Sequence, residues 1–352
     1  MSTAVQKSAL NVVMGAMTFG APGTMGSRVH DLTDVEEILN VFKSHGHTEI
    51  DTARVYAGGT SEEYLGKLDL PAKGFKIETK LYPFKLGKSP ITHDEEGIRT
   101  NVRKSLEALN VSSLEMWYLH GPDRTVPYEV TLKVVNDLYK EGLFKRFGIS
   151  NYMSYVETFF ALSMKAKWFT FSWEVAEIVG ICKANGYIQP TVYQGIYNSI
   201  QRGVEPELLP CLRKFGISFY EFNPLGGGFF TGRYKSIDDV VEEGSRFDDS
   251  ELQGKMYRAR YWKEPYFKAL ASVKDVAEKH HLTMPEVALR WMTHHSQLKR
   301  EYGDSILIGA SSLPHIKQNL IDLEKGPLPD EVVKTLDEAW TSVQPFAANY
   351  WH

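Results

Sequence analysis

Cysteine is nearly missing: Cys182 and Cys211 are the only two in 352 residues. So few thiols make neither a disulfide framework nor a zinc cluster, and they suit a reducing compartment, so the expected location is cytoplasmic. No apolar run approaches the roughly 18 residues of a membrane-spanning helix. Polar Met1 to Lys7 lack the apolar core of a signal peptide. A large excess of either charge is also absent. The net charge is -4 with 24% charged residues, which gives no footing for nucleic acid or an anionic membrane. There is no internal repeat, low-complexity tract or linker, so residues 1–352 are expected to form one domain. One further absence bears on the fold. Gly15 and Gly20, after the first apolar run, lack the Gly-x-Gly-x-x-Gly spacing of a dinucleotide-binding turn, which weakens a doubly wound sheet.

What is present is alternation of strand and helix signals. Asn11 to Met17 is a first apolar run, and Thr33 to His45 reads as a helix with Val35, Ile38, Leu39 and Phe42 on one face. Strands follow at Thr48–Ile50, Phe75–Thr79, Leu114–Leu119, Arg146–Ile149, Thr191–Gln194, Ile217–Phe222 and Ser305–Ile308. Between them lie helical patterns. Thr92-His93-Asp94-Glu95 reads as a capping box ahead of the stripe Ile98, Val102, Leu106 and Leu109, and Thr283-Met284-Pro285-Glu286 as another. Gly226 to Tyr261 reads as a long irregular stretch. Parallel pairing through right-handed crossovers makes this an α/β chain, a single (β/α)8 barrel with its active site at the C-terminal strand ends.

Three strand ends carry ionisable residues: Asp51 after the second, Lys80 after the third and His120 after the fourth, with Tyr56 five positions beyond Asp51. Barrel topology brings such ends together over one pocket. Taken singly, each has an ordinary reading: a cap or ion-pair partner, a packing ring, a solvated charge, a turn residue before Gly121-Pro122. Taken together they suit carbonyl reduction. Tyr56 supplies the proton, and the Lys80 ammonium is expected to lower its phenol pKa. Asp51 holds Lys80, and His120 orients the carbonyl oxygen. A Schiff-base aldolase using Lys80 is a competing reading.

Longer stretches carry a resemblance. They include Gly46-His47-Thr48-Glu49-Ile50-Asp51-Thr52-Ala53, Tyr118-Leu119-His120-Gly121-Pro122-Asp123 and Ile149-Ser150-Asn151-Tyr152. Pro190 to Gly195, Phe222-Asn223-Pro224-Leu225 and Tyr257 to Lys263 continue them. Over nearly its whole length the chain resembles the aldo-keto reductases, above all the aflatoxin-aldehyde and succinic-semialdehyde reductase branch. The resemblance implies Asp51, Tyr56, Lys80 and His120 as the catalytic tetrad. It implies Ser150, Asn151 and Gln194 as ligands of the nicotinamide carboxamide, and Phe222 as the ring stacked on the nicotinamide. It implies the stretch Asn223, Pro224, Leu225, Gly227 to Arg233 as the loop closing over the pyrophosphate. Arg246, Ser311, Ser312, Lys317, Gln318 and Asn319 fall at the adenosine end, where basic and hydroxyl groups favour NADPH over NADH. Tyr257 and Arg260, with His120, fall at the substrate, and Arg260 can pair with a carboxylate. His352 stands where relatives can place arginine.

No metal is implied. The expected partners are a small aldehyde, of detoxification or secondary metabolism, and a second copy in a homodimer. A cofactor-sensing regulatory subunit with little turnover is the alternative function. One segment departs from the resemblance: residues 155–171, rich in aromatic side chains, form an insertion after the fifth strand, readable as an active-site lid, a dimer contact or a translated intron.

Overall fold

The computed structural model describes residues 7–84, 90–154, 157–159, 169–171 and 174–352. Its strands are β1 (Asn11–Gly15), β2 (Glu49–Asp51), β3 (Lys76–Leu81), β4 (Leu114–Leu119), β5 (Phe144–Ser150), β6 (Glu157–Phe159), β7 (Phe169–Phe171), β8 (Val192–Ile196), β9 (Ser218–Phe222) and β10 (Ser305–Gly309). The helices are α1 (Leu32–Ser44), α2 (Thr60–Gly66), α3 (Glu95–Ala108), α4 (Tyr128–Lys140), α5 (Glu174–Asn185), α6 (Leu208–Phe215), α7 (Leu252–Tyr261), α8 (Glu264–Lys279), α9 (Met284–His294), α10 (Leu313–Leu323) and α11 (Asp330–Val343).

Eight strands close in the order β1-β10-β9-β8-β5-β4-β3-β2, each pair parallel, with β1 joined to both β10 and β2. This is the expected (β/α)8 barrel. The strands are buried on both faces because helices cover the sheet outside, which is why they read as apolar runs more than as alternations. Val13, Met116, Tyr118, Val192, Tyr220 and Leu307 form the inner cluster. The larger core lies between strands and helices; α3, for example, turns Ile98, Val102 and Leu106 onto it.

Two local expectations shift. The cap of α3 is Asp94 rather than Thr92: its carboxylate accepts from Gly97 N at 2.8 Å, and the Thr92 hydroxyl donates to Asp94 instead. A charged acceptor one residue before the helix satisfies the free N–H groups better than a hydroxyl further out. The stretch expected to be irregular contains α7, whose buried face is Gln253, Gly254, Tyr257 and Tyr261, while Leu252 and Met256 face solvent. That distribution leaves no apolar stripe to read. The insertion at 155–171 falls mostly outside the described residues, within which β6 and β7 pair antiparallel.

Inside the barrel, a Cβ at Gly148 on β5 would overlap the buried Tyr118 ring. Gly148→Ala is therefore expected to lower unfolding stability by about 1–3 kcal/mol through overpacking. Chemical denaturation measures it, and a parental midpoint would mean that the ring has room to yield.

Candidate active site

The C-terminal ends of β2 and β3 make the centre of the site. Lys80 is fully buried. An ammonium there must be compensated, and its Nζ donates at 2.6 Å to both oxygens of Asp51 and at 2.8 Å to the Thr52 carbonyl. Burial works against the charged form, yet Asp51 and Tyr56 outweigh it and the Lys80 pKa lies above its usual value. Gln194, from β8, donates to Asp51 Oδ1 at 2.9 Å.

Tyr56 opens the turn Tyr56–Gly59, and Lys80 Nζ lies 5.0 Å from its ring centroid. The turn needs left-handed backbone at Ala57, Gly58 and Gly59. It packs against Arg54, which pairs with the buried Glu62; Thr79 donates to the same carboxylate at 2.6 Å. The expected lowering of the Tyr56 phenol is not what the environment yields. Burial raises its pKa more than the Lys80 charge and hydrogen bond lower it, so the net direction is upward. The phenol is thus a fully protonated group held against an ammonium.

His120 follows β4, with its ring edge-on to Tyr56 at 5.7 Å. Burial and then Lys80 hold its pKa well below the usual imidazole value, so it is neutral, and its Nδ1 is buried without a hydrogen-bond partner among the described residues. Asn151 Nδ2 bonds the His120 carbonyl at 2.8 Å and Ser150 Oγ at 3.1 Å. The structure thus brings Asp51, Tyr56, Lys80 and His120 to one place, with Ser150, Asn151 and Gln194 beside them.

The remaining expected residues lie on the segment from the end of β9 to α7 and on the stretch from β10 into α10. Phe222 ends β9 and packs against the inner cluster. Asn223 follows in left-handed backbone; its Nδ2 is buried and unpartnered, while its Oδ1 accepts the Tyr257 hydroxyl at 3.0 Å. Pro224 and Leu225 lead into the turn Gly226–Thr231, where Gly228 N donates to the Leu225 carbonyl at 3.0 Å. Tyr257 presses on Gly227 so closely that a Cβ could not fit. Tyr257 is thus buried against this loop. Arg246 reaches Gly309 at the end of β10. Ser312 caps α10, accepting from His315 N at 3.4 Å, and Ser311 bonds the His315 ring. Lys317 is exposed, Asn319 is buried, and Gln318 donates to Asp322 at 2.9 Å. Arg233 is exposed and paired with Glu242.

Of the further neighbours, Tyr82 and Arg28 were not foreseen. The Tyr82 ring stands edge-on to His120 at 5.5 Å, and the His352 ring lies 5.8 Å from Tyr82. The tail carrying His352 is fastened by Arg124 to the His352 carbonyl at 3.3 Å and by Ser154 to Tyr350. Burial of its ring, with Arg260 and Arg124 alongside, lowers His352 to about 4, although the residue as a whole is exposed. Arg260 lies 5.8 Å over the Tyr257 ring and has no carboxylate partner among the described residues. Arg28, from the loop after β1, bonds the Gly244 carbonyl at 2.8 Å and sits beside Arg246, which with burial lowers its pKa. Two guanidiniums side by side suit a phosphate. Tyr82, two positions beyond Lys80, had a signal in the sequence, and His352 stood out there as the residue where relatives can place arginine; Arg28 had none.

Residues 11–341 match the model of the aldo/keto reductase family. The chain is 43% identical over 314 residues to an aldo-keto reductase of Pseudocercospora fijiensis, covering 89% of this chain and all of that protein. It is 39% identical to aldo-keto reductase pigE of Monascus ruber, over 98% of both chains. With aflatoxin B1 aldehyde reductase member 2 of Mus musculus it shares 41% identity over 93% of this chain and 85% of that one.

The wall behind His120 includes His93, whose Nε2 donates to the Leu81 carbonyl at 3.3 Å. Burial pushes His93 down to about 4. The folded protein keeps it neutral, whereas an unfolded chain protonates it below about pH 6.5. Stability from this group is full above that pH and is lost as pH falls towards 4, by roughly 3 kcal/mol at the limit. His93→Gln should flatten the acid limb of a stability-versus-pH curve. An unchanged slope would assign that limb elsewhere.

Proposed function

The chain belongs to the aldo/keto reductase family, an oxidoreductase family, and we propose that it is an NADPH-dependent aldehyde reductase with Tyr56 as proton donor. The observation that carries this is the arrangement of the Lys80 ammonium between Asp51 and the Tyr56 ring, with neutral His120 edge-on to the same ring. The mouse relative's name supports an aldehyde as substrate.

The residues fit the cofactor. Asn223 Nδ2 is an unsatisfied buried donor at the start of the expected pyrophosphate loop, and Gly226, Gly227 and Gly228 are left-handed, so backbone can come close to phosphate oxygens. Ser150, Asn151 and Gln194 would hold the carboxamide, Phe222 the ring face and the Asn223 to Arg233 stretch the pyrophosphate. Arg246, Ser311, Ser312, Lys317, Gln318 and Asn319 would hold the adenosine 2′-phosphate end, with Ser312 at a helix N-terminus where an anion is favoured. When bound, NADPH supplies the hydride taken up by the carbonyl carbon.

The chain's own residues then manage one proton. His120, neutral, donates a hydrogen bond to the carbonyl oxygen and aligns it without placing a charge beside it. As negative charge develops on that oxygen, Tyr56 releases its proton to it. The raised phenol pKa does not obstruct this, because an alkoxide is a much stronger base than a phenolate. Lys80 stabilises the phenolate that remains, and Asp51 keeps Lys80 charged and in place. Arg260 offers a pairing site for an acidic aldehyde, with the neutral His352 ring nearby. One barrel domain, cytoplasmic location and a homodimer complete the reading.

Oxidation of NADPH by 2-nitrobenzaldehyde and succinic semialdehyde tests it. Tyr56→Phe should lower kcat by about 10²–10⁴-fold while NADPH still binds. Parental turnover in that variant would remove Tyr56 as the acid, and NADPH binding with no aldehyde turned over by the parent would favour the sensing subunit. Arg246→Ala should weaken NADPH by about 10–100-fold and leave NADH nearly unaffected. Equal losses for both cofactors would remove the 2′-phosphate contact.

A further inference from the structure

Beneath Lys80 the barrel interior is polar. Glu78 lies two residues before Lys80 on β3, hence on the same inward side, and is fully buried. Its Oε2 accepts the Tyr118 hydroxyl at 2.9 Å, and its Oε1 has no partner among the described residues. Tyr118 stands in register with Lys80 across the β3–β4 pair, and Lys80 Nζ is 5.8 Å from its ring centroid. The ammonium thus lies between two phenol rings: Tyr56 on the pocket side and Tyr118 towards the barrel axis. Gly148 leaves the space in which the Tyr118 ring lies.

The groups facing Glu78 come from every side. On β2 they are Glu49 and Asp51, on its own strand Lys80, on β4 Tyr118, on β5 Arg146 and on β9 Tyr220, whose hydroxyl donates to Glu49 at 3.1 Å. Burial first, then the two neighbouring carboxylates, raise the Glu78 pKa well above the carboxylate range. The acid below Lys80 is therefore biased toward its neutral form, and Asp51 is the carboxylate paired with the ammonium.

We propose that Glu78 is a positioning residue for proton donation by Tyr56, acting through Tyr118 and Lys80: neutral, it anchors the ring beneath the ammonium, and ionised, it competes with Asp51 for that ammonium. The proposal rests on Tyr56 being the proton donor. It has a definite sign. An anion at Glu78 disfavours the phenolate that Tyr56 must become, so proton donation slows as pH rises through the Glu78 titration. Tyr118 hydrogen-bonds the carboxylate form and so favours it; without that hydroxyl, Glu78 ionises at still higher pH.

The test is the pH profile of kcat and of KM for 2-nitrobenzaldehyde at saturating NADPH, in the parent, Glu78→Gln, Tyr118→Phe and Tyr56→Phe. Gln accepts the Tyr118 hydroxyl but cannot ionise, and Phe keeps the ring beneath Lys80. Both variants should move the alkaline limb of kcat upward by about one pH unit or more, with the change in kcat rather than KM. If Glu78→Gln fails to fold, the Tyr118→Phe shift decides the matter. A limb that stays at the parental pH in the folded variants, with Tyr56→Phe inactive, overturns the proposal and leaves Tyr56 as the acid. Parental turnover in Tyr56→Phe overturns both.

Discussion

The site depends on one buried charge. A lysine with no solvent contact is costly unless its ammonium is fully paired. Lys80 meets that condition with Asp51 and the Thr52 carbonyl. The pairing follows from strand register: Asp51 stands opposite Glu78, so Lys80 extends past the end of β2 and its side chain returns over Asp51. The same register suspends the next loop from β3, through Thr52 N to the Glu78 carbonyl at 2.9 Å and Arg54 N to the Lys80 carbonyl at 3.0 Å. Arg54 and Thr79 both engage Glu62, so the loop that carries Tyr56 has a second attachment at the start of α2. Tyr56 is therefore held against Lys80 by backbone at one end and a buried ion pair at the other.

How much of this was legible in the sequence depended on range. The barrel strands and the helix around Ile98, Val102 and Leu106 carry their pattern locally, because each must bury one face. The convergence of Asp51, Tyr56, Lys80 and His120 followed from topology alone. Helix α7 was missed because its buried face is Gln253, Gly254 and tyrosines, a set that binds a loop rather than filling a core. Tyr257 falls at the substrate by resemblance; that it also packs onto Asn223 and Gly227 shows only in the assembled fold. The direction of the Tyr56 pKa was misjudged for a related reason. A nearby lysine can be anticipated from strand ends, but the depth of burial that opposes it is a property of the assembled fold.

Two asparagines show how local strain serves the same end of the barrel. Asn151 and Asn223 each follow directly on a strand, β5 and β9, and each takes left-handed backbone, with φ of 65° and 69°. Asparagine tolerates this better than most residues, at a cost of order 1 kcal/mol. Both turn the chain sharply at the strand end and keep a buried side chain at the site. Asn151 uses its amide to tie the His120 carbonyl to β5, and Asn223 uses its oxygen to receive Tyr257 while its nitrogen stays unsatisfied. A glycine would make either turn, but it would supply neither amide.

The neutrality of His120 completes the electrostatic design. An imidazolium next to Lys80 would place two cations in one dry pocket, and the fold excludes it by burial and by the ammonium itself. The walls follow the same rule. Tyr82 and His352 present rings without charge, and the nearby guanidinium of Arg124 is neutralised by Glu174, at 2.7 Å. Arg260 is the cation of this group left without a carboxylate among the described residues, and its guanidinium lies 5.8 Å from the Tyr257 ring centroid. Positive charge at the centre is thus confined to Lys80, on the side of Tyr56 where a phenolate would form, while a carbonyl oxygen would meet neutral donors. In the proposed reaction, an environment arranged in this way would stabilise the phenolate without first protonating the substrate, so proton release would wait on the negative charge that hydride uptake creates.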